Sequence, residues 1–166
     1  MRFVRKSRGA VEVSPAAHAV LTAHRQLRTA DTEAGGVLLG RLIRDSHDVV
    51  IDVASPPSPE DRRSRFSFFR ARKPAQVVVE RAWRESGQVV NYLGEWHTHP
   101  EDDPNPSCID RRDWKKIVAR ASFEQDFLLF VIVGRVQIRV WEVSRERPEP
   151  VALSIEQGPA SPGSIQ

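Results

Sequence analysis

Cysteine is nearly absent: Cys108 stands alone among 166 residues, so no intramolecular disulfide can form, which agrees with a reducing compartment. Long apolar runs are missing too. The longest, Phe127 to Gly134, is strand length and falls far short of the ~20 residues a membrane helix needs. The N-terminal MRFVRKSRGA carries charge with no apolar stretch behind it, so no secretory signal is expected and a cytoplasmic location is. A large charge excess is lacking as well: Lys+Arg 25 against Asp+Glu 22 gives +3, with a pI near 9.5. Lysine is confined to Lys6, Lys73, Lys115 and Lys116, and the arginines are scattered without an interleaved aromatic strip, a poor footprint for nucleic acid. No internal repeat is visible. What remains is 40% hydrophobic and 28% charged, the balance of a globular protein, which excludes disorder, collagen-like fibres and coiled coils. The length suits one domain.

Alternation of polar and apolar residues over Arg2–Arg5 and Ala10–Val13 predicts two short strands around the turn Lys6-Ser7-Arg8-Gly9. Ser14-Pro15 opens a helix in which Ala17, Val20, Leu21, His24 and Leu27 keep helical spacing, ending near Arg28. Glu33 to Ile43 reads as a buried strand entered through Gly35-Gly36, with Val49–Val53 as its antiparallel partner. Pro56, Pro57 and Pro59, with the charged residues up to Arg65, predict a mobile loop. Phe66–Phe69 is a short strand or turn, and Pro74 to Gly87 a helix with Val77, Val78, the Arg81 stem and Trp83 as its stripe. Val89 to Gly94 is a strand running into His97. Pro100 to Pro106 is an irregular loop, and Ser107 to Ala121 a helix with Ile109, Trp114, Ile117 and Val118 inward. Strands over Phe127–Val133 and Val136–Val143 close the core, and an edge strand is expected near Val151–Ile155 before a flexible tail. The fold class is therefore α/β (α+β): a mixed, largely antiparallel sheet flanked by helices, with one domain over 1–144 and an edge strand plus Pro-rich tail over 145–166.

The chemistry-bearing segment is Glu95-Trp96-His97-Thr98-His99-Pro100, followed by Ser107-Cys108-Ile109-Asp110. Side chains two apart share a strand face, so His97 and His99 can reach one ion. Ser107 caps a helix whose third position is Asp110, which brings that carboxylate near the histidines. Two imidazoles and a carboxylate leave the fourth position of a tetrahedral site for water, the layout of a catalytic zinc. The water needs a base, and two carboxylates are candidates. Glu95 shares the face of the histidines; Glu33 enters a glycine-rich strand that permits close backbone approach. Spacing does not choose between them.

His97-Thr98-His99-Pro100, the interval that follows it and Ser107-x-x-Asp110 together match the JAMM signature, and the chain resembles the MPN (Mov34/PAD-1) metalloprotease family from about Glu33 to Val143. Glu33-Ala34-Gly35-Gly36-Val37-Leu38-Leu39-Gly40 looks like that family's glutamate strand. The resemblance implies an MPN-like fold, one Zn²⁺ per chain bound by His97, His99 and Asp110, Glu33 as general base, Ser107 as a stabiliser of the oxyanion, and Glu95 only near the site. Tyr92 to Glu101 with Asp110-x-x-Asp113-Trp114 is similar to the short bacterial members in type II CBASS antiphage operons. That similarity implies a deconjugase that releases the C-terminus of a cGAS-like nucleotidyltransferase from a target amine, with an E1/E2-like conjugating enzyme as functional partner, and no membrane or specific nucleic-acid partner.

Other readings compete. A related peptidase could process a ubiquitin-like or sulfur-carrier protein, or the chain could be a non-catalytic MPN scaffold; the intact Glu33, His97, His99, Ser107 and Asp110 argue against the latter. Taken alone, Ser107 and Asp110 are a plain helix cap. Cys108 is expected to be a small buried filler rather than a nucleophile. Glu101, Asp102 and Asp103 are expected on a solvated loop face, His18, His24 and His47 away from any metal, and the four tryptophans mainly in the core.

Overall fold

Short alternating segments make this a strand-rich chain, and the computed structural model describes residues 1–6 and 9–156. Residues 7–8 of the first expected turn and 157–166 of the expected flexible tail lie outside the described residues. In chain order, β1 (Arg2–Val4) and β2 (Ala10–Val13) form a hairpin, α1 (Pro15–Ala23) follows, and β3 (Gly35–Leu42) and β4 (Val49–Ala54) form a second hairpin. A small separate hairpin joins β5 (Arg62–Ser64) and β6 (Ser67–Phe69). Then come α2 (Arg72–Glu85), β7 (Asn91–Thr98), α3 (Cys108–Arg120), β8 (Phe127–Val133), β9 (Ile138–Ser144), β10 (Val151–Ala152) and β11 (Ser154–Ile155).

The main sheet has the order β10-β9-β8-β7-β3-β4-β2-β1-β11, parallel at β2–β4 and β7–β8 and antiparallel elsewhere. The mixed, helix-flanked sheet is the architecture its sequence predicts. Leu153 alone separates β10, on one edge, from β11, on the other, so the sheet rolls until its edges approach. The Arg5–Glu142 ion pair at 2.6 Å joins the β1 and β9 sides. Inside the roll, α1 contributes Ala17 and Leu21 to a core with Phe3, Ile51, Trp96, Leu129 and Val140. On the outer face α2 packs Ala75 against Val37 and Leu39, while α3 packs Trp114 and Val118 against Leu128, Phe130 and Ile132. A buried side chain of this size contributes roughly 1.5–3 kcal/mol, so the three clusters fix the positions of the helices. Gly94 lies at φ 144, and a Cβ there would meet the Leu129 carbonyl oxygen at 1.8 Å, which only glycine avoids.

Several local expectations change. α1 stops at Ala23 rather than Arg28, and Leu27 is exposed, because the chain turns to feed the Gln26 side chain into the interior. Within the loop expected up to Arg65, residues 62–64 pair as β5. α2 buries Ala75 and packs Val79 and Ala82, leaving Val77, Val78 and Trp83 exposed; only one valine of the run can face the sheet at 3.6 residues per turn. Ile109 and Cys108 are exposed in the first turn of α3, so Cys108 is not a filler. β9 starts at Ile138, since the amides of Arg135, Val136 and Gln137 bond to the carbonyls of Glu101 and Asp102 instead. These bonds, with ion pairs Asp102–Arg135 and Asp103–Arg139, pin the Pro100–Pro106 loop. The edge strand expected over 151–155 is two strands that pair with opposite edges.

Candidate metal centre

At the end of β7 side chains alternate: Trp96 and Thr98 point into the rolled core, His97 and His99 to the outer face. Pro100 ends the strand, and the pinned loop delivers Ser107 to the N-cap of α3. Its Oγ accepts from the Asp110 amide at 3.1 Å, while the Asp110 carboxylate accepts from the Ser107 amide and hydroxyl, each at 2.6 Å. This capping box holds the Asp110 carboxylate facing the histidines, with Oδ1 toward His97 and Oδ2 toward His99.

His97 Nε2 lies 3.0 Å from His99 Nε2 and 3.3 Å from Asp110 Oδ1, and His99 Nε2 lies 3.5 Å from Asp110 Oδ2. Ligands about 2.0 Å from a tetrahedral centre stand roughly 3.3 Å from one another, so the two imidazole nitrogens and the two Asp110 oxygens lie at separations close to those a bound ion needs. The three residues are the one His/Cys/Asp/Glu group of this kind among the described residues. Their donor set fits a metal ion. The hydrogen bonds from His97, His99 and Ser107 hold the Asp110 carboxyl below the usual carboxylate range against the opposing effect of burial. Burial disfavours charge on His99, yet Asp110, Glu33 and Glu101 more than offset it and raise its pKa.

Glu33 reaches this cluster through the β3–β7 register. Gly35 pairs with His97 at the end of that ladder, Ala34 bonds to Thr98 just beyond it, and Glu33, one residue earlier, lines the same cleft as His99. The segment is held by several bonds. Ala34 N–H donates to Thr98 Oγ1 at 3.0 Å, Thr98 N–H to the Ala34 carbonyl at 2.8 Å, and Glu33 N–H to the Ser64 carbonyl at 2.7 Å. Thr98 Oγ1 in turn donates to Gln26 Oε1 at 3.0 Å, and Gln26 Nε2 donates to the carbonyls of Asp31 and Arg65. Gln26 and Thr98 are buried and were not singled out by sequence reasoning; a polar residue inside an expected helix carries no signal of its own. Gly35 is required because a Cβ would meet the Phe68 ring at 2.5 Å, where the β5–β6 hairpin closes over the strand. The Glu33 carboxyl is buried, and that burial pushes its pKa up to about 7, with Asp110 and Glu101 adding to the rise and His99 opposing it.

The cleft, about 660 Å³, is lined by Glu33, His97, His99, Ser107 and Asp110, with Phe68 and Trp114 as aromatic walls. Glu95, which spacing left open as ligand or base, is bound elsewhere: it is ion-paired with Arg70 and accepts from Tyr92 Oη at 3.1 Å. Cys108, exposed in the first turn of α3, is not among the residues lining this cleft.

Two imidazoles and a carboxylate converging beside a buried carboxylate in an open cleft define a metal-dependent hydrolase. A profile described as prokaryotic homologs of the JAB domain matches residues 15–146. A protein of Pseudomonas aeruginosa (strain BWHPSA011 / Pa011) named CD-NTase/cGAS isopeptidase is 40% identical over 112 residues, covering 68% of this chain and 69% of that one. The protein of the same name from Vibrio cholerae serotype O1 is 38% identical over 126 residues, 76% of this chain and 77% of its own length. Among solved structures, protein DSY2949 from Desulfitobacterium hafniense shares the fold with a TM-score of 0.58 and 22% identity, covering 86% of this chain and 88% of that one. The chain belongs to the prokaryotic JAB (JAMM/MPN) family, and the hydrolase is of the JAMM type.

Proposed function

We propose that this chain is a zinc isopeptidase that hydrolyses the amide bond between the C-terminus of a conjugated protein, a cGAS-like nucleotidyltransferase, and a target amine in CBASS-type antiphage defence. The observation that carries the reading is the convergence of the His97, His99 and Asp110 donor atoms in the cleft that also holds buried Glu33. The names of the two relatives, CD-NTase/cGAS isopeptidase, support the substrate and the bond. An E1/E2-like enzyme of the same operon would form the conjugate, and the reaction would run in the cytoplasm.

His97 and His99 through Nε2 and Asp110 through its carboxylate would hold the ion, a donor set that suits zinc. When bound, zinc supplies Lewis acidity that polarises the scissile carbonyl and acidifies water. Glu33 takes the proton of the attacking water and returns it to the nitrogen of the leaving amine, so hydroxyl ends on the carbonyl carbon and hydrogen on the amine. Ser107 keeps its hydroxyl at the cleft edge; its one proton goes to Asp110 in this structure, and it would turn to the oxyanion as that charge develops. Phe68 and Trp114 restrict water around the scissile bond.

The test is cleavage of a fusion carrying the C-terminus of a cGAS-like nucleotidyltransferase linked to a reporter amine. Cleavage that disappears on chelation and in Glu33→Ala supports the reading; cleavage that survives both contradicts it.

A further inference from the structure

α2 and α3 pack on separate patches of the outer sheet face, both against Tyr92 of β7, and leave a gap between them over that strand. The gap is a trough of about 590 Å³ floored by Val37, Tyr92 and Glu95. It runs straight into the metal cleft, because Arg70, Glu95, Lys116 and Ile117 line both. From His97 back to Tyr92 the strand spans roughly 16 Å at about 3.3 Å per residue.

The trough is strongly basic. Arg70, Arg72, Lys73, Lys116 and Arg120 line it against a single acid, Glu95, which is already paired with Arg70. Lys116 is shared with Asp113 at 3.2 Å, whereas no ion pair engages Arg72, Lys73 or Arg120 among the described residues. Arg70 contacts Glu95 through Nη2, and its buried Nε has no hydrogen-bond partner. Helix stability does not account for Arg72 and Lys73: the first turn of α2 has no side-chain cap and no acid, and both oppose the positive end of the helix dipole, whereas Arg120 lies in the last turn of α3, where the dipole favours it. Positive charge gathered where the helix itself disfavours it points to an anionic occupant.

We propose that the trough binds an acidic stretch of the conjugated protein's C-terminal tail, about four to five residues before the cleaved bond at ~3.3 Å per extended residue, with Lys73 and Arg120 as the specificity-determining side chains. The proposal rests on the isopeptidase reading, since it takes the cleft at the trough's end as the place of cleavage. The carbonyl-side tail is the segment that can lie here, because the amine side of an isopeptide is one side chain of a folded target and offers no extended strand. An acidic peptide fits better than a nucleic acid: Tyr92 is the sole aromatic lining residue, and it is spent on Glu95 rather than presented for stacking.

The experiment uses zinc-loaded protein and dye-labelled tail peptides with Asp-Glu, Ala-Ala or Lys-Lys four and five residues before the C-terminus, read by fluorescence anisotropy. The same tails are then assayed as cleavable fusions. The expected result is binding of the acidic tail at least tenfold tighter than the lysine tail, an order reversed in Lys73→Glu/Arg120→Glu, with KM following binding and kcat unchanged. Thermal melting confirms that the double variant is folded. Equal binding of all three tails, an unchanged order in the double variant, or tighter binding of a single-stranded oligonucleotide of matched charge overturns the proposal. Charge-ordered binding without cleavage of any fusion would uphold the trough and count against the isopeptidase reading, so the two fail separately.

Discussion

Glu33 is protonated in the folded, metal-free chain at pH values where the unfolded chain has already lost that proton, since burial raises its pKa from 4.5 to about 7. In that window the unfolded state binds fewer protons, so stability falls as pH rises from about 4.5 through about 7, and the loss is complete above it. The magnitude is up to about 3 kcal/mol at ~1.4 kcal/mol per pKa unit. Urea denaturation of chelated protein at pH 5 and pH 8 is expected to show a larger decline in wild type than in Glu33→Gln, where the raised His99 pKa leaves a smaller decline of the same sign; the same pH dependence in both would place the ionisation elsewhere. In catalysis Glu33→Ala is expected to keep the metal and lose roughly 10²–10⁴-fold in kcat. Glu95→Gln, whose parent carboxylate serves Arg70 and Tyr92, is expected to stay within about tenfold of wild type in the same assay. Equal losses with metal retained would put the base assignment on the wrong carboxylate. The candidate donors His97, His99 and Asp110 are legible in the sequence because strand alternation and the Ser107 helix cap are local, all within one short stretch. The choice between Glu33 and Glu95 is not, because it depends on how β3 registers against β7 and on the Arg70 partner of Glu95.

Between elements, the bond chain Gln26–Thr98–Ala34 ties the loop after α1 to the end of β7 and to the entry of β3, which carries Glu33. Truncating Gln26 leaves Thr98 and the carbonyls of Asp31 and Arg65 without their buried partner, at a cost of about 1–3 kcal/mol. Gln26→Ala is therefore expected to lower the urea midpoint and kcat while leaving metal content at the wild-type level; a loss of metal with kcat per loaded site intact would assign the network to the ligands instead of Glu33. Element boundaries show the same division between local and distant causes. Period-two alternation and the Ser-Pro and Ser107 caps announce strands and helix starts. The early end of α1 and the buried face of α2 follow from tertiary contacts made by Gln26 and Ala75, and the sequence pattern holds no trace of them. The β5–β6 pairing in a proline-flanked segment is likewise set by the Glu33–Ser64 backbone bond and by Phe68 lying on Gly35.

For the whole molecule, the candidate metal centre sits where β7, the pinned loop, α3 and the β3 entry meet, so it forms only when these segments are packed together. The closure by β10 and β11 joins residues far apart in the chain and could not be read from local pattern. Because the unfolded chain has no preformed triangle of donors, metal binding is folding free energy. Zinc at about a thousand times its dissociation constant is expected to add roughly 4 kcal/mol, a rise in Tm of about 10 °C that differential scanning calorimetry would find missing in His97→Ala. The central claim is that one zinc ion at His97, His99 and Asp110 drives cleavage. Its most direct measurement is metal content by mass spectrometry on purified wild type and His97→Ala, with cleavage assayed in the same samples. About one zinc per chain in wild type alone, with cleavage tracking zinc occupancy, is the expected result; cleavage by a preparation free of metal, or zinc retained in full by His97→Ala, would contradict the claim.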